Sequence, residues 1–197
     1  MKQNKRVEKM LLTQELLVKL NLVDRNHYTA GTNRKENDSE HTLSLATLCW
    51  LVYFELDSKL NLEKIIKYAI AHDIPEVYAG DVNTFSNSKQ RRNKVIAEHQ
   101  AVKRIKDEYA FFPDLIKHID GYETKKDKEA IFVWTADKMQ ALTMGSLDEW
   151  RPYREINITY AMFCKKYEEL IENSLTDLKP LFKELFEYCK ATYYDRP

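Results

Sequence analysis

Residues 125–150 read KKDKEAIFVWTADKMQALTMGSLDEW, and this stretch decides the fold class. Its apolar residues recur three or four apart, so Val133, Ala136, Ala141 and Met144 fall on one side of a long helix. Asp137 shares that side, with Val133 and Trp134 a turn before it and Ala141 a turn after. A lone ionised carboxylate among such neighbours costs several kcal/mol or is driven to take up a proton. The same stretch thus predicts a helix and marks a residue that needs a partner.

Working outward, the spacing stays close to the helical period almost everywhere. Val7, Met10, Leu11, Leu17 and Leu20 form the stripe of a first helix. Residues 23–38 are polar, contain Gly31 and read as an ordered loop. Asp38 or Ser39 can cap a second helix carrying Leu45, Leu48, Val52 and Leu56. Asn61 can cap a third, through Ile65, Ile66 and Ala69 toward His72, with Pro75 disturbing its end. Residues 80–88 form a second loop, and a fourth helix begins near Ser88 with Ile96, Val102 and Ile105 inward. A short element over Phe111–Ile119 precedes the long helix, and two more helices follow it, about 152–172 and 176–193. These last helices pack on the core or form a dimer contact. With no repeat or linker, residues 1–197 are expected to form a single all-α domain, a helical bundle.

Composition narrows the function. Balanced Lys+Arg and Asp+Glu, 31 of each, argue against a protein that coats nucleic-acid polymers, because counterion release needs a basic surplus. The longest nearly apolar run, Leu45–Phe54, is half of what a membrane span requires. The N-terminus leads into an amphipathic segment without a signal-peptide core. Cys49, Cys164 and Cys189 form neither a CxxC pair nor a disulfide framework, so the expected compartment is the cytoplasm.

Two further costly groups sit where helices point inward. His41 lies four residues before Leu45 and seven before Leu48, and His72-Asp73 ends the third helix. Each alone has an ordinary explanation: a satisfied core histidine, an ion-paired helix end, a carboxylate held by Arg or Tyr. Together on three stripes they suggest a bound cation. Neutral imidazoles and carboxylates make a mixed nitrogen and oxygen donor set suited to Mn, Fe, Co, Ni or Zn.

The order of these residues resembles the HD-domain phosphohydrolases, in particular their 5′-deoxynucleotidase branch. Glu36-Asn37-Asp38-Ser39-Glu40-His41 is followed by Ala71-His72-Asp73-Ile74-Pro75-Glu76, then Gly80-Asp81, then Ala136-Asp137-Lys138. The likeness spans about residues 7–150. It implies that His41, His72, Asp73 and Asp137 hold one divalent metal ion (Mn, Co, Ni, Zn, Fe or Mg). Glu76 would be the acid/base or water-orienting carboxylate, and Asp81 would place the sugar or the attacking water. Arg25 resembles the family's phosphate-binding loop arginine, with Arg34 a second candidate. A tryptophan often follows that arginine in the family and crowds the sugar 2′ position. Asn26 follows here, leaving His27 or Tyr28 to fill the space. Homodimerisation is a further implication, with surplus apolar positions in the last two helices available for it.

The resulting expectation is a phosphohydrolase of small nucleotides, first a 5′-(deoxy)nucleotidase acting on monophosphates. The alternatives are a (deoxy)nucleoside triphosphate triphosphohydrolase on the same scaffold and a non-catalytic nucleotide-binding or interaction protein. Lys89, Arg91, Arg92 and Lys94 read first as a solvated helix face and second as a rim for extra phosphates. His99 and His118 lie in no comparable motif and read as structural or exposed. The aromatics Tyr53, Phe54, Trp134, Trp150, Phe182 and Phe186 read as core or subunit-contact residues.

Overall fold

The computed structural model describes residues 4–81 and 88–193, with backbone only for 88–92 and 94. The side chains of Lys89, Arg91, Arg92 and Lys94 therefore lie outside the described residues. Helix α1 (Lys5–Leu20) is capped by the Asn4 side chain, which accepts from the backbone N–H of Arg6 and Val7. Its buried residues are Leu16 and Leu20, with Leu12 packed alongside, whereas Val7, Met10, Leu11 and Leu17 are exposed. The buried face of α1 runs 12–16–20, so of the expected stripe only Leu20 is buried.

The stretch expected as a loop holds a small antiparallel hairpin, β1 (Asp24–Tyr28) and β2 (Lys35–Asn37). Asp24 pairs with Asn37 and Tyr28 with Lys35, an uneven register that marks a bulge in β1. The connection closes through Thr29 N–H donating to the Arg34 carbonyl, with Gly31 supplying a positive φ of 76°. Neither strand alternates apolar with polar residues, so period alone gave no strand signal.

Helix α2 (Asp38–Glu55) leaves the hairpin directly. Its cap is Asn37, one residue earlier than expected, in a reciprocal capping box with Glu40. That register buries His41, Leu45, Cys49 and Val52 on one side. Helix α3 (Leu62–Ala71) is capped by Asn61 and ends as expected at His72. A tight turn through Pro75 leads to the short α4 (Glu76–Ala79), and α5 (Ser88–Glu108) and α6 (Pro113–Thr124) follow. In α5 Ile105 is buried, but Ile96, expected inward, is exposed.

Helix α7 (Lys128–Leu147) is the central element, begun by the Asp127 side chain accepting from Ala130 N–H. Val133 and Ala136 are fully buried, together with Phe132, Met139 and Leu142. Past its end Glu149 and Trp150 adopt positive φ and turn the chain into α8 (Arg151–Glu155). The helix expected over 152–172 is two, because Asn157 also takes a positive φ before α9 (Tyr160–Glu172). Helix α10 (Lys179–Lys190) closes the described chain. Phe163, Tyr167, Phe182, Phe186 and Cys189 bury α9 and α10 in the same core as α2, α3 and α7. Met162 of α9 and Tyr188 of α10 remain exposed. A second, smaller core joins Leu16, Ala71, Ile74, Ile105, Tyr109 and Ile119. No helix among the described residues is long and apolar enough to cross a membrane.

Candidate metal centre and its cavity

Three helices deliver the donors. The capping box sets α2 so that His41 points inward and is fully buried. The end of α3 presents His72 and Asp73, and the middle of α7 presents Asp137. His41 Nε2 lies 3.2 Å from His72 Nε2, 3.2 Å from Asp137 Oδ1 and 3.5 Å from Asp73 Oδ2. His72 Nε2 lies 2.9 Å from the same Asp73 oxygen. The structure therefore brings together all four residues that the sequence marked.

The fit to a cation can be judged from the tautomers. His72 Nδ1 donates to the Ala69 carbonyl at 2.8 Å, so in the neutral ring Nε2 carries the lone pair and faces His41. His41 Nδ1 is buried without a hydrogen-bond partner, and the two facing Nε2 atoms are satisfied either by a proton on one of them or by a cation between them and the carboxylates. Adjacent donors around an ion with bonds of about 2.1 Å lie about 3 Å apart, the spacing found here. His41, His72 and Asp73 in particular each offer a donor atom within 4.8 Å of the others.

Electrostatics hold the two carboxylates ionised, whereas burial, outweighed by Asp73, leaves the His72 pKa raised, so an ion entering the cluster has to displace a proton from that ring. Burial opposes ionisation of Asp73, but His72 and Arg25 outweigh it and hold the carboxyl well below its ordinary range. Burial likewise opposes the Asp137 carboxylate, which Lys138 and His41 hold ionised. Lys138 Nζ reaches Asp137 Oδ2 at 2.6 Å, fixing the oxygen that faces away from His41. His41 is pushed toward neutrality by burial and by Arg25.

A cavity of about 240 Å³ opens over this cluster. Arg25, His72, Asp73, Glu76, Asp81 and Asp137 line it, together with Trp134, Tyr122, Lys125 and Lys138. His41 sits behind the lining, fully enclosed. The helix does not persist past Pro75, yet Glu76, buried at the start of α4, still faces the same cavity as His72. Arg25 arrives from β1. Its Nη1 donates to Asp73 Oδ2 at 2.8 Å and to Asp38 Oδ1 at 2.9 Å, and its Nε lies 3.7 Å from Glu36. Nη2 makes no hydrogen bond among the described residues.

Several expected placements are different. Arg34 forms an exposed two-pronged pair with Glu40 and does not line the cavity, because the hairpin turn carries it to the outer side of α2. Asn26 donates to Asp81 at 3.5 Å, His27 packs edge-on against Tyr153, and the Tyr28 hydroxyl donates to Glu155. None of these three lines the cavity, so neither His27 nor Tyr28 fills the expected space. His99 is exposed and His118 donates from Nδ1 to the Asp114 carbonyl, both apart from the donor cluster. The buried carboxylates Glu36 and Asp38 surround Arg25, a role that the capping reading of Asp38 does not reveal. Lys125, Lys138 and the cavity position of Trp134 had no role either; Lys138 alone carried a signal, its adjacency to Asp137.

A helical domain that gathers two imidazoles and two carboxylates from distant segments under a polar cavity defines a candidate metal-dependent class of protein. Residues 17–179 match the HD domain, and the chain belongs to that family. It is similar to the proteins named 5′-deoxynucleotidase HDDC2 of Homo sapiens and Mus musculus, each 28% identical over 122 residues. That match takes in 59% of this chain and spans 56% and 57% of the length of those relatives. Among solved structures, the fold resembles a protein of Magnetospirillum magnetotacticum described as a "predicted metal-dependent phosphohydrolase" (TM-score 0.72, 22% identity, 94% of this chain and 98% of that one). A Pyrococcus horikoshii protein is similar at TM-score 0.64 and 22% identity, covering 94% of this chain and 99% of its own. At these identities the structural likeness speaks for the fold.

Proposed function

We propose that the chain is a metal-dependent phosphohydrolase that cleaves the phosphoester of nucleoside 5′-monophosphates, with one divalent ion held by His41, His72, Asp73 and Asp137. The observation that carries this reading is the convergence on His41 Nε2 of His72, Asp73 and Asp137, all within 3.5 Å. The names of the two curated relatives supply the substrate class. When bound, a divalent ion in such a donor set supplies Lewis-acid chemistry and makes water acidic near neutral pH.

The chain's own residues do the rest. Arg25 Nη1 anchors Asp73, and Nη2 is left to meet a phosphate oxygen with a permanently charged, planar donor. Glu76, which lines the same cavity, is suited to take a proton from the attacking water and return it to the leaving 5′-oxygen. Asp81, joined to Asn26, limits where the water or the sugar can sit. Lys138 keeps Asp137 ionised and turned toward His41.

Phosphate release from deoxynucleoside mono- and triphosphates tests the assignment. Inorganic phosphate from monophosphates is expected; triphosphate released from triphosphates, with monophosphates untouched, contradicts it. We also propose that two chains associate through α2, where Leu43, Trp50, Leu51 and Phe54 are exposed on one side. A small nucleotide remains the only partner the reading needs besides that second copy, in the cytoplasm.

A further inference from the structure

Trp134 occupies an unusual position for a large aromatic residue. It stands three residues before Asp137 on α7, so the two side chains lie on neighbouring parts of one helix face, about 4.5 Å apart along the axis. Trp134 packs against the main core and also lines the cavity that Arg25 and Glu76 line.

Comparison with Trp150 brings out what is missing. Trp150 is 1% exposed, with its ring against Tyr153, Phe163 and Tyr193 and its N–H donating to Thr192. Trp134 has no ring partner and no acceptor for its N–H among the described residues. A buried indole N–H usually finds an acceptor, as that of Trp150 does. Tyr122, the other aromatic in the wall, is already taken: its ring meets His72 and Tyr68, and the Lys125 ammonium lies 4.8 Å from its centre. The remaining lining is almost wholly charged or polar, with Pro75 the exception. The donors and Arg25 account for an ion and a phosphate. They leave one apolar, planar surface of the same cavity without a function.

We infer that Trp134 is the platform on which the nucleobase of the substrate stacks, its indole N–H available as one further donor to the base or sugar. The inference rests on the nucleotide reading above and adds a specificity-determining residue to it. Stacking on any base face is tolerant of sequence, so Trp134 would favour nucleotides over base-free phosphoesters without selecting one base.

The test compares wild type, Trp134→Ala and Trp134→Phe on a deoxynucleoside 5′-monophosphate and on deoxyribose 5-phosphate, which has the same phosphoester but no base. Trp134→Ala is expected to raise KM for the nucleotide on the order of 10-fold or more, the effect of losing one base–aromatic stack. It should leave kcat and both constants for deoxyribose 5-phosphate near wild type, and Trp134→Phe should recover most of the loss. Equal damage to both substrates, or an unchanged nucleotide KM, overturns the inference while leaving the nucleotide reading in place. Wild type that hydrolyses other phosphomonoesters but no nucleotide removes that reading and this inference with it. Should Trp134→Ala fail to fold, quenching of tryptophan emission by deoxyadenosine provides the second measurement. Quenching present in wild type and lost in Trp134→Phe supports stacking; quenching retained in that variant overturns it.

Discussion

Arg25 Nη1 lies 2.8 Å from Asp73 Oδ2, the same oxygen that approaches both His41 and His72. A guanidinium and a metal ion would therefore draw on one carboxylate, and Asp38 and Glu36 complete a buried acidic surround for the arginine.

Replacing Arg25 with Ala leaves Asp38 and Glu36 buried without their cation and Asp73 with only its histidine contacts. The expected cost is about 3 kcal/mol in metal-free protein, read as a fall in Tm of several degrees. Saturating Mn²⁺ should narrow the deficit, since the ion takes over neutralisation of Asp73. A deficit that is the same with and without metal would separate Arg25 from the donor cluster.

Glu76→Gln removes a proton acceptor while preserving shape. Turnover should fall by roughly 10²- to 10⁴-fold with the bound metal content unchanged. Full activity in this variant, measured by phosphate release, takes Glu76 out of its role.

His27 gives a pH signature. Its Nδ1 is buried without a hydrogen-bond partner, and burial, then Arg25 and His41, lower its pKa from 6.5 to about 4. The unfolded chain protonates His27 near 6.5 and the folded chain resists until about 4, so its stabilising contribution is complete above 6.5 and lost as pH falls toward 4. His27→Phe keeps a ring against Tyr153 and cannot titrate. The Tm of wild type minus that of His27→Phe should drop between pH 7 and pH 4.5, as followed by thermal unfolding in buffers of matched ionic strength. A constant difference contradicts the assignment.

Light scattering tests association through α2. Wild type should have twice the mass of one chain, and Trp50→Glu should be monomeric with its nucleotide activity assayed separately. A monomeric wild type dismisses the proposal.

The helices were legible because one period governs both their packing and their polar exceptions. His41 four residues from Leu45, His72 just past Ala69, and Asp137 one turn from Val133 all inherit their direction from neighbours whose burial the spacing foretells. The hairpin was not legible, since Asp24–Tyr28 and Lys35–Asn37 are held by backbone pairing and by ion pairs to distant residues. The first helix misled for a related reason: Val7, Met10 and Leu11 have helical spacing, but nothing among the described residues covers them. Trp134 shares its apolar character with core residues, and only the cavity beside it distinguishes its exposed face.

Metal analysis of the purified, dialysed protein is the most direct measurement. Wild type supplied with a divalent transition metal should carry one ion per chain, and both His72→Ala and Asp137→Ala, folded by circular dichroism, should carry none. One ion per chain in both variants, or none in wild type, would contradict the central claim that these side chains share a cation.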